Sequence, residues 1–241
     1  MSMTGKRLLI VGNSHTQMIS KALVSRSRAS ALPVDIEVCW LLSKGKGNFG
    51  DTSREDAQAK IAALKASDLL AVSFLGTLHN LIGLFEHPSP YAILDSQNDS
   101  GAIPPNAEII PHKVMIDLFD QFTEDDLQVR KFAGIATCPV VHFFPPPPKE
   151  RFAKPRKFKV IDGKTVEFRF ASALARLNLW KLETLAVERY LQRAGVVHYL
   201  CPRGSADEQG YLRPEYYASD ATHANAAYGE LLIEDFERML D

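Results

Sequence analysis

The sequence predicts an α/β fold, a three-layer α/β/α sandwich around a five-stranded parallel sheet. Three observations carry that expectation. Short apolar runs at residues 7–11, 34–42, 69–75, 135–144 and 196–200 alternate with amphipathic stretches, the signature of βα units. The amphipathic stretches repeat their apolar residues at helical spacing. The chain of 241 residues, 46% hydrophobic and 24% charged, is long and apolar enough for a large core, which disfavours disorder, collagen and coiled coil.

Taken in order, the first run ends at Gly12, which permits a sharp turn off the strand. His15, Met18, Ile19, Ala22 and Leu23 then share one helix face. The second run is followed by Ala57, Ile61 and Leu64, and the third by Met115, Leu118, Phe119 and Phe122. Leu177, Trp180, Thr184, Val187 and Leu191 follow the fourth run, and Tyr228, Leu232, Phe236 and Met239 follow the fifth. With a helix after every strand, right-handed crossovers favour the flavodoxin-like strand order 2-1-3-4-5. Ligands of such sheets bind at the carboxyl ends of the strands, so function is expected just after strands one, two, three and five.

Eleven of the 14 prolines fall between Pro88 and Pro155, which concentrates irregular structure there. Residues 88–111 read as a long loop, and 145–148 as a polyproline II segment leaving strand four. The stretch 149–159 is basic, and 158–161 with 165–170 read as a β-hairpin around Asp162-Gly163. Neither segment has the apolar mass for a core of its own. The expectation is therefore a single domain over 1–241, with insertions at 85–112 and 145–171.

Lys and Arg number 28 against 29 Asp and Glu, a net charge of -1, so no broad field draws nucleic acid or anionic lipid. Cys39, Cys138 and Cys201 are odd in number and far apart, neither a disulfide framework nor a zinc site. The apolar run 8–11 is too short for a signal peptide, and no window approaches a membrane span, so a cytoplasmic protein is expected. Phosphate-loop and dinucleotide-binding patterns are absent from the sequence.

Ser14, in Gly12-Asn13-Ser14-His15, stands at the start of the first helix, where it is either an N-cap or a nucleophile beside helix-terminal amides. A nucleophilic serine needs a base. His223 lies in Asp220-Ala221-Thr222-His223 before the last helix, and Asp220 is spaced so that one turn brings its carboxylate to the imidazole. The alternative there is a capping aspartate beside an exposed histidine. Gly50, after strand two, and Asn80, after strand three, are candidate oxyanion donors, against the competing roles of turn glycine and helix cap. His15, Thr77 and His79 are candidate substrate contacts, and His142 is read as structural. A metal site from His15, His79, Asp220 and His223 finds no supporting spacing, so neither metal nor cofactor is expected.

These blocks resemble the SGNH (GDSL-like) hydrolase family, in which Ser, Gly, Asn and His come from four separate blocks in that chain order. Gly12-Asn13-Ser14-His15 is similar to the first block, Gly50-Asp51-Thr52 to the second, residues 76–80 to the third, and Asp220 to His223 to the DxxH block. The resemblance spans residues 7 to about 240. It implies hydrolysis of an ester or O-acyl bond by Ser14, with His223 as base, Asp220 orienting it, and Ser14, Gly50 and Asn80 holding the oxyanion, without cofactor. Two departures stand out. Asn13 replaces the usual aspartate, and Leu78 occupies the place of the third-block asparagine, so that either Asn80 or Thr77 serves, or the hole has one donor fewer. Acyl transfer by the same residues, and a binding module with little chemistry, are the alternatives. The expected partner is a small-molecule or carbohydrate acyl ester, with Tyr91, Phe144, Arg151 and Arg156 hinting at a sugar or an anionic acyl substrate. Oligomeric state stays open.

Overall fold

In the computed structural model, which describes residues 5–29, 34–42, 49–94, 106–154 and 156–241, strand β1 (Arg7–Gly12) is buried from Leu8 to its end. Its parallel neighbours are β2 (Asp35–Trp40) and β3 (Leu69–Ser73), and β6 (Val140–Phe143) and β9 (Val197–Tyr199) extend the sheet in the order β2-β1-β3-β6-β9. These five are strands one to five of the sequence reading, in the order expected. Because side chains alternate across a strand, β1 and β3 feed two cores. Leu9, Val11, Leu70 and Val72 face one side, and Leu8, Ile10, Leu69 and Ala71 the other. Near-continuous apolar strands are what a sheet covered on both faces requires.

The first core is closed by α2 (Arg54–Ala62), α5 (Gln128–Ile135) and α6 (Ala173–Arg193), through Ala57, Ile61, Val129, Phe132, Leu177, Trp180 and Val187. The second is closed by α1 (Gln17–Ala29) and α7 (Ala226–Leu240), through Met18, Ile19, Ala22, Tyr228, Leu232 and Phe236. This makes the three layers. No helix among the described residues is long and apolar enough to cross a membrane.

Several expectations change. Residues 88–111 are not simply a loop: β4 (Tyr91–Leu94) and β5 (Glu108–Pro111) form a parallel pair, while 95–105 lie outside the described residues. The helix built on Met115 and Phe119, α4 (His112–Asp125), packs against α6 through Leu179, Leu182 and Ala186 instead of on the sheet. Its buried row is Met115, Phe119 and Thr123, at every fourth position, which leaves Phe122 54% exposed. Met239 of α7 is likewise exposed. Ile135 belongs to the end of α5, and strand four starts only at Val140. The chain leaves the helical region at Ala136, whose backbone is extended, four residues before the strand begins.

The hairpin is as read, with β7 (Arg156–Ile161) and β8 (Lys164–Arg169) antiparallel about Asp162 and Gly163, whose φ of 49° and 75° are those of a type I′ turn. The segment 145–148 is neither helix nor strand and is buried, with the Trp180 indole N–H donating to the Pro145 carbonyl at 3.4 Å.

Candidate active site

Gly12 ends β1, between β2 and β3, where a side chain has no room. A Cβ there would lie 2.7 Å from the Ser73 carbonyl oxygen and 2.9 Å from the Thr16 methyl. Its φ is not positive, so close approach, not a special turn, demands glycine. The chain then enters a single 3-10 turn, Ser14–Thr16, before α1. Asn13 occupies the N-cap position without a side-chain cap bond, so Ser14 is not the cap.

Ser14 Oγ instead lies 2.9 Å from His223 Nε2. His223 Nδ1 lies 3.0 Å from Asp220 Oδ2, while Asp220 Oδ1 accepts the backbone N–H groups of Thr222 and His223 at 2.9 and 2.8 Å. Asp220 is thus no helix cap either. Asn225 caps α7, accepting from the amides of Ala227 and Tyr228. Burial opposes the charge of Asp220, but the amides of His223 and Thr222, with the adjacent imidazole, outweigh it and hold the carboxyl below its ordinary range.

β9 is the far edge of the sheet, so the chain after it must run back across to β1. Its return is pinned at several points. Leu212 N–H donates to the Pro148 carbonyl, Tyr217 and Ala224 form an antiparallel bridge, and the buried Lys149 ammonium donates to the carbonyls of Ala218 and Asp220. Helix α7 then lies directly on α1. At Gly229 an added Cβ would stand 2.3 Å from the Met18 carbonyl oxygen. Ser14 and His223 therefore sit just ahead of two helices that touch at their backbones.

Gly50 has φ of 96°, and a Cβ on it would fall 2.3 Å from the Leu41 carbonyl oxygen. It is held beside the end of β2 by the Leu41–Thr52 bridge and by the Asp51 and Thr52 amides donating to the Trp40 carbonyl. Gly47 and Asn48, which precede this block, lie outside the described residues. Asn80 is half-buried in the first turn of α3 (Leu78–Gly83), whose N-cap position is Thr77. Among the described residues, the Ser14 and Gly50 N–H groups and the Asn80 side chain have no hydrogen-bond partner.

The cap of α3 is Glu183, which the sequence reading missed. This buried α6 carboxylate accepts the N–H groups of Leu78 and His79 at 3.0 and 2.8 Å, and His79 Nδ1 lies 2.7 Å from it. The available signal was a lone acid between Trp180 and Val187 on a mostly apolar helix face. His15 is buried and its ring lies against His223, centroids 4.7 Å apart. Burial, then the nearby charges of His223 and His79, push its pKa down to about 3, so it is neutral at ordinary pH. Thr77 is exposed. His142 has the structural part expected: its Nε2 accepts the amides of Phe74 and Leu75 at 3.3 and 3.2 Å, fixing the chain that leads from β3 to α3.

No family model and no curated protein matches the chain. Solved structures similar to it include the periplasmic domain of a lipopolysaccharide acetyltransferase from Salmonella Paratyphi A, at 12% identity and TM-score 0.47 over 99% of this chain and 85% of that one. An acetylxylan esterase from Geobacillus stearothermophilus is 12% identical with TM-score 0.44, over 100% of this chain and 96% of that one. A carbohydrate acetylesterase from Sinorhizobium meliloti is 13% identical with TM-score 0.44, over 98% of this chain and 100% of that one.

Proposed function

We propose that the protein is a serine hydrolase that cleaves an ester or O-acyl bond. The observation that carries the reading is the hydrogen-bonded chain from Ser14 Oγ through His223 to Asp220, with 2.9 Å and 3.0 Å between the heavy atoms. Both are within the reach proton transfer needs.

In this reading His223 Nε2 takes the Ser14 proton as Oγ attacks the ester carbonyl, and Asp220 keeps the other ring nitrogen protonated and the imidazole aligned. Negative charge then develops on the carbonyl oxygen. The Ser14 and Gly50 N–H groups and the Asn80 amide are the donors proposed for it, each worth roughly 100- to 1000-fold in rate. Collapse of the intermediate breaks the C–O bond, and the alcohol departs with the proton held by His223. Water, deprotonated by the same imidazole, releases the acid from Ser14. The neutral His15 ring against His223 adds no competing positive charge. The reading also requires residues from Ser14 to His223 to act as one domain.

A fluorophosphonate probe with intact-mass readout tests this. One adduct is expected on the native protein and none on Ser14→Ala. Folded native protein that gains no adduct would sink the proposal.

A further inference from the structure

A cavity of about 500 Å³ opens between the loop that carries Asp220 and the segment entering the β7–β8 hairpin. Its walls are aromatic: Phe152 lies on Phe170, with ring centroids 4.0 Å apart, and Tyr217 stands opposite on the Asp220 side. Its rim carries Arg151, Lys154, Arg156 and Lys157. Arg151 and Arg156 have carboxylate partners, Glu150 at 3.3 Å and Glu167 at 3.1 Å. Lys154 and Lys157 have no ion pair among the described residues. Among the described residues the one carboxylate lining the cavity, Asp220, is already committed to His223 and Thr222. A chain of net charge -1 therefore concentrates positive charge at this place.

The cavity is also built to hold its shape. The buried Arg176 guanidinium donates to the carbonyls of Lys149, Glu150 and Ala171 and lies 4.4 Å from the Phe152 ring centroid. Nothing in the proposed chemistry of Ser14 needs a rigid basic wall. Its position does suit one half of an ester. His223 must hand its proton from Nε2 to the departing alcohol oxygen beside Ser14. The cavity is lined by Ser219, Asp220 and Ala221 of the loop that carries His223, and by neither Ser14 nor His223, so the alcohol reaches it by extending past the imidazole.

We propose that this cavity recognises the alcohol half of an anionic ester. The body of the alcohol packs between Phe152 and Tyr217, and a carboxylate or phosphate on it meets Lys154 and Lys157. The reaction rests on the serine-hydrolase reading, whereas anion binding by the cavity does not.

The test compares kcat/KM for O-acetyl esters of a methyl glucuronoside and of a sugar phosphate with that of a neutral methyl glucoside. The native protein is expected to favour the anionic esters, and the two anionic arms distinguish carboxylate from phosphate. In Lys154→Gln/Lys157→Gln the anionic-to-neutral ratio is expected to fall roughly tenfold or more. In the native protein, salt at about 1 M is expected to lower the same ratio, because the screening length shrinks to about 3 Å. A ratio that neither the variant nor salt changes overturns the proposal, and if Ser14 is still labelled by fluorophosphonate the hydrolase reading survives. If no ester is cleaved and Ser14 is not labelled, calorimetry with the methyl glucuronoside and the sugar phosphate decides alone. Binding that the double variant loses supports the cavity, and absence of binding overturns it.

Discussion

Gly229→Ala is the substitution in which fold and site meet most directly. An alanine Cβ there would stand 2.3 Å from the Met18 carbonyl oxygen and 2.6 Å from its carbon, whereas ordinary contact begins at 3.4 Å. Helices α1 and α7 must then part by about 1 Å, since a helix backbone cannot rotate aside as a side chain can. Two effects oppose each other. Alanine gains about 1 kcal/mol of helix propensity over glycine, and overpacking costs about 1–3 kcal/mol. With backbone as the obstacle the cost lies in the upper part of its range, for a net loss of up to about 2 kcal/mol and a Tm lower by up to roughly 4–8 °C. The effect on the site is larger. Ser14 and His223 are carried by the segments leading into these helices, and their 2.9 Å bond has little slack before it passes hydrogen-bonding distance. A misplacement of about 1 Å at reacting groups costs on the order of 100-fold. The assay is the rate of Ser14 labelling by fluorophosphonate, read beside a thermal melt. Labelling within about twofold of the native rate would refute the claim that helix contact sets the site.

Asp220→Asn should leave the fold intact and slow ester cleavage roughly 1000-fold or more, because the imidazole loses the partner that fixes its tautomer. Steady-state kinetics against a short acyl ester checks this. Glu183→Ala strips the acceptor from the buried His79 amide, the part-buried Leu78 amide and the His79 ring, and a loss of about 3 kcal/mol, or roughly 10 °C in Tm, is expected by calorimetry. His15 and His142 are each held down to about 3, chiefly by burial. An unfolded histidine titrates near 6.5, so between those values the unfolded chain binds more protons, and stability must fall as pH drops from about 6.5 toward 3. Urea midpoints at several pH values report the slope, which His142→Gln should make shallower; an equal slope would contradict the assignment.

What was legible in the sequence was written over short stretches. The apolar run ending at Gly12, the Asp162-Gly163 turn and the spacing of Asp220 to His223 each declare themselves within ten residues. Failures came where neighbours in space outvoted neighbours in sequence. Residues 91–94 and 108–111 pair with one another although prolines at 88, 90, 104, 105 and 111 argue for loop. Phe122 is exposed because α4 found its buried row against α6 and not against the sheet. Asn80 and Ser14 both sit at helix starts, yet neither caps one, since Glu183 and Asn13 hold those places. Glu183 and Lys149 were missed because a buried charge announces itself only through partners, and theirs are far off in the chain.

The sequence by itself determined the alternation of strands and helices, the hairpin turn, and which residue types stand at the ends of which strands. These depend on periodicity and turn chemistry that a few adjacent residues settle. Only the tertiary structure decided that Ser14 and His223, 209 positions apart, share a hydrogen bond, and that the basic stretch after strand four borders the Asp220 loop. The first depends on two helices close enough to exclude one Cβ, the second on Arg176 and Lys149 holding carbonyls from separate loops. Such contacts are sums over residues that only folding brings together.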